Sequence, residues 1–283
     1  MKQSLVCLFG LTAMLIVSTS AQAAITCTRP SSTGVSTAFA TGGTFPNVTQ
    51  GTVSFSCTRG NAGDATNVLL RANNGRNRSG SQNRAKRGGN FINYELYKNS
   101  GCSGVWSNGN AAAMSVPLNT TVGIAQPQTV SFWGCILTEP VVPAATYTDR
   151  VNVRVRNNTN TGNLSRGRNM NIRITNNASC AITSIGNVTF GTYIALRTTP
   201  LIAPTANIVM NCTTNLPYTM ALDATSGVIA GLNYTLGLST TNTTGTGPGQ
   251  THTITGTMPA NQAGTCPTGV CAATQSRTLT ITY

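Results

Sequence analysis

The residues best suited to chemistry in this 283-residue sequence are its cysteines. Cys7 lies in an apolar N-terminal stretch, and eight more follow: Cys27, Cys57, Cys102, Cys135, Cys180, Cys212, Cys266 and Cys271. An even number in an exported chain predicts disulfide bonds. Zinc is the alternative, but there is no CxxC pair and His252 is the single histidine, so tetrahedral Cys/His ligation has few donors. We therefore predict four disulfides, no metal and no cofactor.

No other residues form a catalytic pattern. The five carboxylates show no paired-acid motif: Asp64, Glu95, Glu139, Asp149 and Asp223. His252 has no sequence-supported pairing with a serine or thiol, and oxidised cysteines are inert as nucleophiles. We predict that the protein has no catalytic residues and is not an enzyme.

The disulfide connectivity follows from spacing only in part. Cys27 and Cys57 are separated by nearly the same number of residues as Cys180 and Cys212. This parallel suggests one bridge in each half of the chain, and elimination then pairs Cys102 with Cys135 and Cys266 with Cys271. The assignment is the simplest that keeps each bridge within one half, although sequence alone does not prove connectivity.

The N-terminus predicts export. Lys2 precedes an apolar stretch from Leu5 to Val17, and Ala21-Gln22-Ala23 is a small-x-small cleavage site. We expect residues 1–23 to be a signal peptide, because the stretch is too short for a transmembrane anchor. The mature chain would then be exported.

The segments that contain or flank the cysteines have the sequence pattern of β-strands. Five segments alternate apolar and polar residues with a period of two: Val53–Cys57, Val151–Val155, Met170–Ile174, Ile208–Cys212 and Leu279–Tyr283. Strands with one apolar face belong to antiparallel sheets packed on one side. Only 8% of residues are charged, while glycine is abundant, which disfavours helices. The predicted fold class is all-β, with two Ig-like β-sandwich domains.

The division into domains follows an internal repeat of cysteines and Asn-Tyr strands. We expect an N-terminal domain over 24–156, a linker and possible closing strand over 157–176, and a C-terminal domain over 177–283. Asn157–Gly167 is rich in Asn, Thr and Gly, as linkers are. Met170–Ile174 either closes the first domain in cis or opens the second, and the sequence favours neither.

Several motifs, in order, resemble the spore coat protein U domain family, which is shared with subunits of archaic chaperone–usher pili. Those in the second half are Asn187–Tyr193, Asn211–Thr213, Leu216–Tyr218, Thr255–Gln262 and Leu279–Tyr283. Those in the first half are Phe55–Thr58, Asn93–Tyr97, Val105–Gly109 and Tyr147–Val151. The first half lacks a clear Phe-Gly-x-Tyr, and the second lacks Tyr-x-Asp before its last strand.

The resemblance implies a C-terminal domain that lacks its last strand. The missing strand of such a pilin leaves a hydrophobic groove. A periplasmic chaperone fills this groove first, and the donor strand of the adjacent subunit then replaces the chaperone. An outer-membrane usher assembles the fibre, so the resemblance implies export through the periplasm to the cell surface. Leu279, Ile281 and Tyr283 are the residues that we expect to contact chaperone or donor strand. Only Ala24 to Thr26 would precede Cys27 after cleavage, too few for a donor strand. The resemblance therefore implies a tip adhesin or minor subunit in surface attachment and biofilm formation; the alternative is a structural spore-coat or extracellular matrix protein.

Two groups of residues are candidates for binding an anionic or apolar surface. The first is a basic segment, expected to be an exposed loop, that contains Arg71, Arg76, Arg78, Arg84, Lys86 and Arg87. Its basic side chains would contact an anionic polysaccharide, lipopolysaccharide or charged material, although a solvated loop is the simpler alternative. Nucleic acid is not expected, because no aromatic residues alternate with the basic ones.

The second group comprises apolar residues in segments predicted to be loops: Val35, Phe39, Phe45, Val141 and Val142. Exposed apolar patches often mark binding sites. Packing at the edge of the core is the alternative, and the sequence favours it.

Overall fold

The computed structural model describes residues 24–266 and 269–283, and every regular element in these ranges is a β-strand. The prediction of an all-β fold is therefore confirmed. The predicted signal peptide lies outside the described residues. We call residues 24–177 the N-terminal region and residues 178–283 the C-terminal region.

Eleven strands build the N-terminal region. They are β1 (Thr26–Cys27), β2 (Ser31–Ser32), β3 (Val35–Ala40), β4 (Asn47–Thr58), β5 (Asn67–Ala72), β6 (Asn83–Arg87), β7 (Asn90–Tyr97), β8 (Met114–Pro117), β9 (Gln126–Ile136), β10 (Ala145–Arg156) and β11 (Arg168–Asn177). The main path of hydrogen-bonded strands is β1-β4-β9-β7-β6-β10-β11-β3, with β2 beside β4, and β5 between β10 and β8. Alternate residues of the long strands β4 and β10 are buried, as the period of two predicts.

The strand β11 belongs to the N-terminal region. It pairs antiparallel with β10, where Val151 lies opposite Met170, and parallel with β3, where Val35 lies opposite Ile172. Met170, Ile172 and Ile174 are at most 2% exposed and join the core of this region. Of the two alternatives for Met170–Ile174, the structure has the one in which it closes the N-terminal region in cis.

This pairing changes the role of the segment before β11. Asn157–Gly167, which we expected to link two domains, instead connects β10 to β11 as the loop of a hairpin. The Asn157 side chain orders it by accepting hydrogen bonds from the backbone N–H groups of Thr161 and Gly162 at 2.9 and 3.0 Å. Asn and Gly residues favour turns and loops as well as linkers, so their abundance did not distinguish a hairpin loop from a linker between domains.

Nine strands build the C-terminal region. They are β12 (Cys180–Ile185), β13 (Leu201–Ile202), β14 (Ala206–Cys212), β15 (Pro217–Leu222), β16 (Ser226–Ile229), β17 (Leu232–Leu238), β18 (Asn242–Thr244), β19 (Gly247–Met258) and β20 (Leu279–Thr282). One sheet has the order β12-β14-β19-β17-β16, with β13 beside β19, and the other has the order β18-β15-β20. Both β12 and β20 therefore end a sheet.

The two regions bury very different amounts of apolar surface. The N-terminal core is a cluster of 27 buried residues, in which Trp106 and Phe132 pack with ring centroids 5.0 Å apart. The C-terminal cluster has only six: Ile208, Met210, Cys212, Tyr218, Met220 and Ile254. Since buried apolar area is the main source of stability, the C-terminal region depends more on other supports.

Disulfides are one such support, and all four predicted pairs are present: Cys27–Cys57, Cys102–Cys135, Cys180–Cys212 and Cys266–Cys271. Cys27 and Cys57 are opposite one another on β1 and β4, and Cys180 and Cys212 are opposite on β12 and β14. Each region thus ties its first strand to a longer neighbour in the same way, as the parallel spacing predicted.

Candidate functional site

The C-terminal region exposes an apolar edge along β12. This strand hydrogen-bonds to β14 on one side and ends its sheet on the other. Ile182 and Ile185 are 36% and 51% exposed. An edge strand has unpaired backbone N–H and C=O groups, and natural proteins usually protect such an edge with charges. Between Cys180 and Ile185 there is no charged residue, so this edge lacks that protection.

The strand β20 forms the second edge. It pairs with β15, with Ile281 opposite Met220 and Leu279 opposite Leu222. Leu279 and Ile281 are half-buried against the C-terminal cluster, whereas Tyr283 is exposed. Two of the three residues predicted to contact a chaperone or donor strand thus pack on the core from an end strand, and the third extends beyond it.

Further apolar side chains are exposed near these edges in sequence, and our sequence analysis did not single them out. Ile194, Leu196 and Ile202 are each at least 64% exposed. They lie between β12 and β14, and only Ile202 is in a strand, the two-residue β13. Their exposure was not detectable from the sequence, because these segments have no clear period.

Each region has one hydrogen-bonded pair of buried polar side chains. The hydroxyl of Tyr94 donates a 2.7 Å hydrogen bond to Oδ2 of the buried Asp149, and burial followed by the Asp149 charge raises the pKa of Tyr94. His252 Nε2 and the Tyr218 hydroxyl share a 2.6 Å hydrogen bond, and burial lowers the pKa of His252. Among the described residues no group of three metal-ligating side chains is present.

The basic segment is only partly a loop. Arg71 is on β5, and Arg84, Lys86 and Arg87 are on β6, so the irregular part is residues 73–82, with Arg76 and Arg78 exposed. The expectation of one long loop was wrong because alternating positions of β6 are buried, Asn83 and Ala85 facing inward. The guanidinium of Arg84 lies 4.2 Å from the centre of the Phe91 ring.

Most of the apolar candidates are in the core. Val35, Phe39 and Val142 are at most 7% exposed, and Phe45 is half-buried with its ring 5.6 Å from that of Phe39. The hypothesis that these four form an exposed patch is wrong, because β3 places Val35 and Phe39 beside β11 on the inner face. Only Val141 is exposed, at 58%.

No helix in the described part of the chain is long and apolar enough to cross a membrane.

Comparisons with solved structures give distant similarities. The chain resembles the CsuC–CsuE chaperone–tip adhesion subunit pre-assembly complex from archaic chaperone–usher Csu pili of Acinetobacter baumannii, with 12% identity and a TM-score of 0.41 over 89% of this chain and 100% of that one. A chaperone–tip adhesin complex of CFA/I fimbriae biogenesis gives 11% identity and 0.31 over 88% and 96%. The E. coli chaperone DraB gives 5% identity and 0.25 over 82% and 86%. Similarity at this level transfers no residue roles.

The sequence itself gives a firmer relationship. No curated protein sequence matches the chain significantly. However, the family model of the Spore Coat Protein U domain matches residues 11–154 and 167–243, most of the chain and parts of both regions. This match agrees with the resemblance carried by the Asn-Tyr strands and the cysteine-ended strands. The chain therefore belongs to the spore coat protein U domain family.

Proposed function

We propose that the protein is a tip or minor subunit of an archaic chaperone–usher pilus, with an adhesive N-terminal domain and a C-terminal pilin domain. One observation carries the proposal: β11 fills the N-terminal core from within the chain, whereas β12 and β20 remain edge strands over a small C-terminal core. We place the domain boundary after β11, and take residues 24–177 and 178–283 as the two domains.

An added strand would complete the C-terminal domain by β-augmentation. Its backbone would pair with an open edge, and its alternate apolar side chains would cover Leu279, Ile281 and Ile185. Burying apolar side chains contributes about 1.5–3 kcal/mol each, enough for a strand to hold firmly. A periplasmic chaperone would supply this strand first, and an adjacent subunit would replace it at the outer-membrane usher.

The same reasoning assigns the N-terminal domain to binding. Its core is filled by its own strand, so it needs no partner for stability and is free to contact a surface. Such a role, in attachment and biofilm formation at the cell surface, needs no catalytic group.

The acceptor edge can be tested without any partner protein. We would append to Tyr283, through a short turn, a ten-residue strand in which valine alternates with threonine. The matched control replaces each of those valines with serine. We expect the valine strand to raise the Tm of the C-terminal domain by about 5 °C or more, since about 1 kcal/mol shifts a domain of this size by several degrees. Equal Tm values for both fusions would contradict an open acceptor edge.

The adhesive role has a separate test in pilus-producing cells. Removing residues 24–177 should abolish attachment to a surface while fibres still assemble, as seen by electron microscopy. Loss of the fibres themselves would instead favour a structural coat or matrix role without a specific receptor.

A further inference from the structure

Two strands of the N-terminal region place like charges directly opposite each other. In the register of β5 and β10, Arg71 is the partner of Arg154, and Arg156 follows two residues later on the same face. Like charges at opposed positions of an antiparallel pair are destabilising. Three of the 18 basic residues of the chain thus lie where they repel each other. We call Arg71, Arg154 and Arg156 the arginine cluster.

Only neutral groups accept the hydrogen bonds of the arginine cluster. Arg71 Nη1 donates to Asn160 Oδ1 at 2.7 Å, Arg154 Nε to Asn152 Oδ1 at 2.9 Å, and Arg156 Nη2 to the Thr161 carbonyl at 3.1 Å. The Nε atoms of Arg71 and Arg156 are buried and have no hydrogen-bond partner in the described structure. Burial, followed by the charge of Arg156, lowers the pKa of Arg71. The positive charge of the cluster is therefore not compensated by the hydrogen bonds it makes.

The arginine cluster lines an open cleft of about 390 Å³. The rest of its lining consists of four asparagines: Asn73, Asn108, Asn152 and Asn163. The lining thus holds three cations and amides that both donate and accept hydrogen bonds, without a carboxylate or an aromatic ring. We call this site the arginine cleft.

The arginine cleft is held in shape by its surroundings. Asn160, which accepts from Arg71, has a positive φ of 63° and also donates to Asn110. Gly167 is packed so closely that a Cβ atom there would lie 2.6 Å from Arg154 Nε. The position of Arg154 therefore depends on the absence of a side chain at residue 167.

The basic surface continues beyond the cleft along the same sheet face. Arg150 precedes Asn152 and Arg154 on the outer face of β10, and Arg173 and Lys86 both lie opposite Thr148. Arg150, Arg173 and Lys86 are exposed. A row of cations that leads out of a cleft suits a polymer with repeated negative groups better than a single ion.

We propose that the arginine cleft binds the oxyanion groups of an anionic polysaccharide. The planar guanidinium fork matches sulfate and carboxylate groups, and the asparagines suit the hydroxyls of a sugar ring. Single-stranded nucleic acid is disfavoured, because the lining offers no aromatic ring for base stacking. The inference rests on the proposed function in assigning binding to the N-terminal domain, and it names the ligand class.

The test measures binding of fluorescein-labelled dextran sulfate to the full exported chain at low ionic strength. Alginate and neutral dextran are the comparison ligands: alginate separates carboxylate from sulfate recognition, and neutral dextran controls for the sugar. We expect binding of one or both polyanions, no binding of neutral dextran, and weaker binding as salt rises. No binding of either polyanion would overturn the proposal.

Variants distinguish binding in the arginine cleft from binding to the overall positive charge of the protein. Arg154→Gln with Arg156→Gln should lower the affinity at least about tenfold, because charge-assisted hydrogen bonds are lost. The matched control, Arg197→Gln with Arg277→Gln in the C-terminal region, removes the same charge and should lower the affinity less than about threefold. Equal losses in both variants would overturn the cleft assignment.

Two further variants test whether a loss of affinity comes from the arginine cleft itself and not from loss of net charge or of folded protein. Gly167→Ala leaves the net charge unchanged but displaces Arg154, and should lower the affinity at least about threefold. Arg154→Gln should not lower the Tm, because it removes a repulsive cross-strand pair.

Duplex DNA that displaces dextran sulfate at equal charge would favour nucleic acid and contradict the proposal. The strand-fusion test concerns only the C-terminal domain, so either proposal can fail alone.

Discussion

The two regions share a strand pattern and a disulfide position but differ in how completely their cores are filled. Each ties its first strand to a neighbour by a cysteine pair, and each has an Asn-Tyr strand, β7 or β17. The N-terminal core nevertheless has 27 buried residues and the C-terminal core six. The strand pattern that the two regions share therefore does not by itself fix the size of the core, and β11 adds Met170, Ile172 and Ile174 to the N-terminal one.

The largest effect is expected where β11 fills the core. Ile172 is 1% exposed, and Ile172→Asp would bury a charge without a partner, so we expect a loss of more than about 4 kcal/mol or failure to fold. Fluorescence of Trp106 and Trp133, the two tryptophans of the chain, reports unfolding of this region alone. The matched variant is Ile185→Asp on the β12 edge, for which calorimetry follows the C-terminal region and we expect a change within about 0.5 kcal/mol. Similar losses in both would contradict the difference between the regions.

The stability that each disulfide contributes should increase with the length of chain that it closes. Replacing Cys27 and Cys57 by alanine opens a separation of 30 residues, and we expect a loss of about 3–4 kcal/mol in denaturant titrations. Replacing Cys266 and Cys271 opens a separation of only 5, and the same chain-entropy model gives about 2 kcal/mol. The reverse order would show that the native contacts of the bridges, not the unfolded chain, dominate.

The tyrosines of the two Asn-Tyr strands offer a direct comparison. Tyr94 donates to the buried carboxylate of Asp149, whereas Tyr234 donates to Oε1 of Gln275 at 2.7 Å and accepts from Nε of the half-exposed Arg277 at 2.8 Å. Tyr94→Phe leaves a buried charge with one donor fewer, and we expect a loss of about 1.5–3 kcal/mol. Tyr234→Phe also removes the bond from Arg277, but this half-exposed guanidinium can bond to water instead, so we expect a smaller loss of about 0.5–1.5 kcal/mol. Calorimetry that resolves both transitions would check the order, and equal costs would contradict it.

The smallest effect is a pH dependence confined to the C-terminal region. Burial lowers the pKa of His252, so the unfolded chain binds its proton more readily than the folded one. The stability that neutral His252 contributes is present above the unfolded pKa of about 6.5 and is lost as the pH falls through the lower, folded pKa. Between pH 7 and pH 5 we therefore expect a falling Tm for this region, and a weaker slope in His252→Gln. An equal slope in the variant would assign the effect to the carboxylates.

Local chemistry was enough to predict much of this protein. The period of two in Val151–Val155 and Met170–Ile174 requires strands with one buried face, because side chains alternate across a strand. The similar spacing of the two leading cysteine pairs predicted their bridges, since the same pairing of first strand and neighbour recurs. Family membership also followed from short motifs whose order is preserved.

The pairing of strands that are distant in the chain could not be predicted from the sequence. Val35 and Phe39 looked like loop residues, because the parallel partner that buries them, β11, lies more than a hundred residues away in the chain. The arginine cleft was missed for the same reason. Arg154 and Arg156 were visible as the polar face of a strand, but their opposition to Arg71 depends on the register of β5 with β10.

The sequence by itself determined the five alternating strands with their buried faces and indicated the disulfides, because each depends on residues that are close together or on a countable set of cysteines. Only the tertiary structure decided which core β11 fills, which edges stay open and which arginines meet. These depend on the register between distant strands, and a shift of one residue exchanges the two faces of a strand.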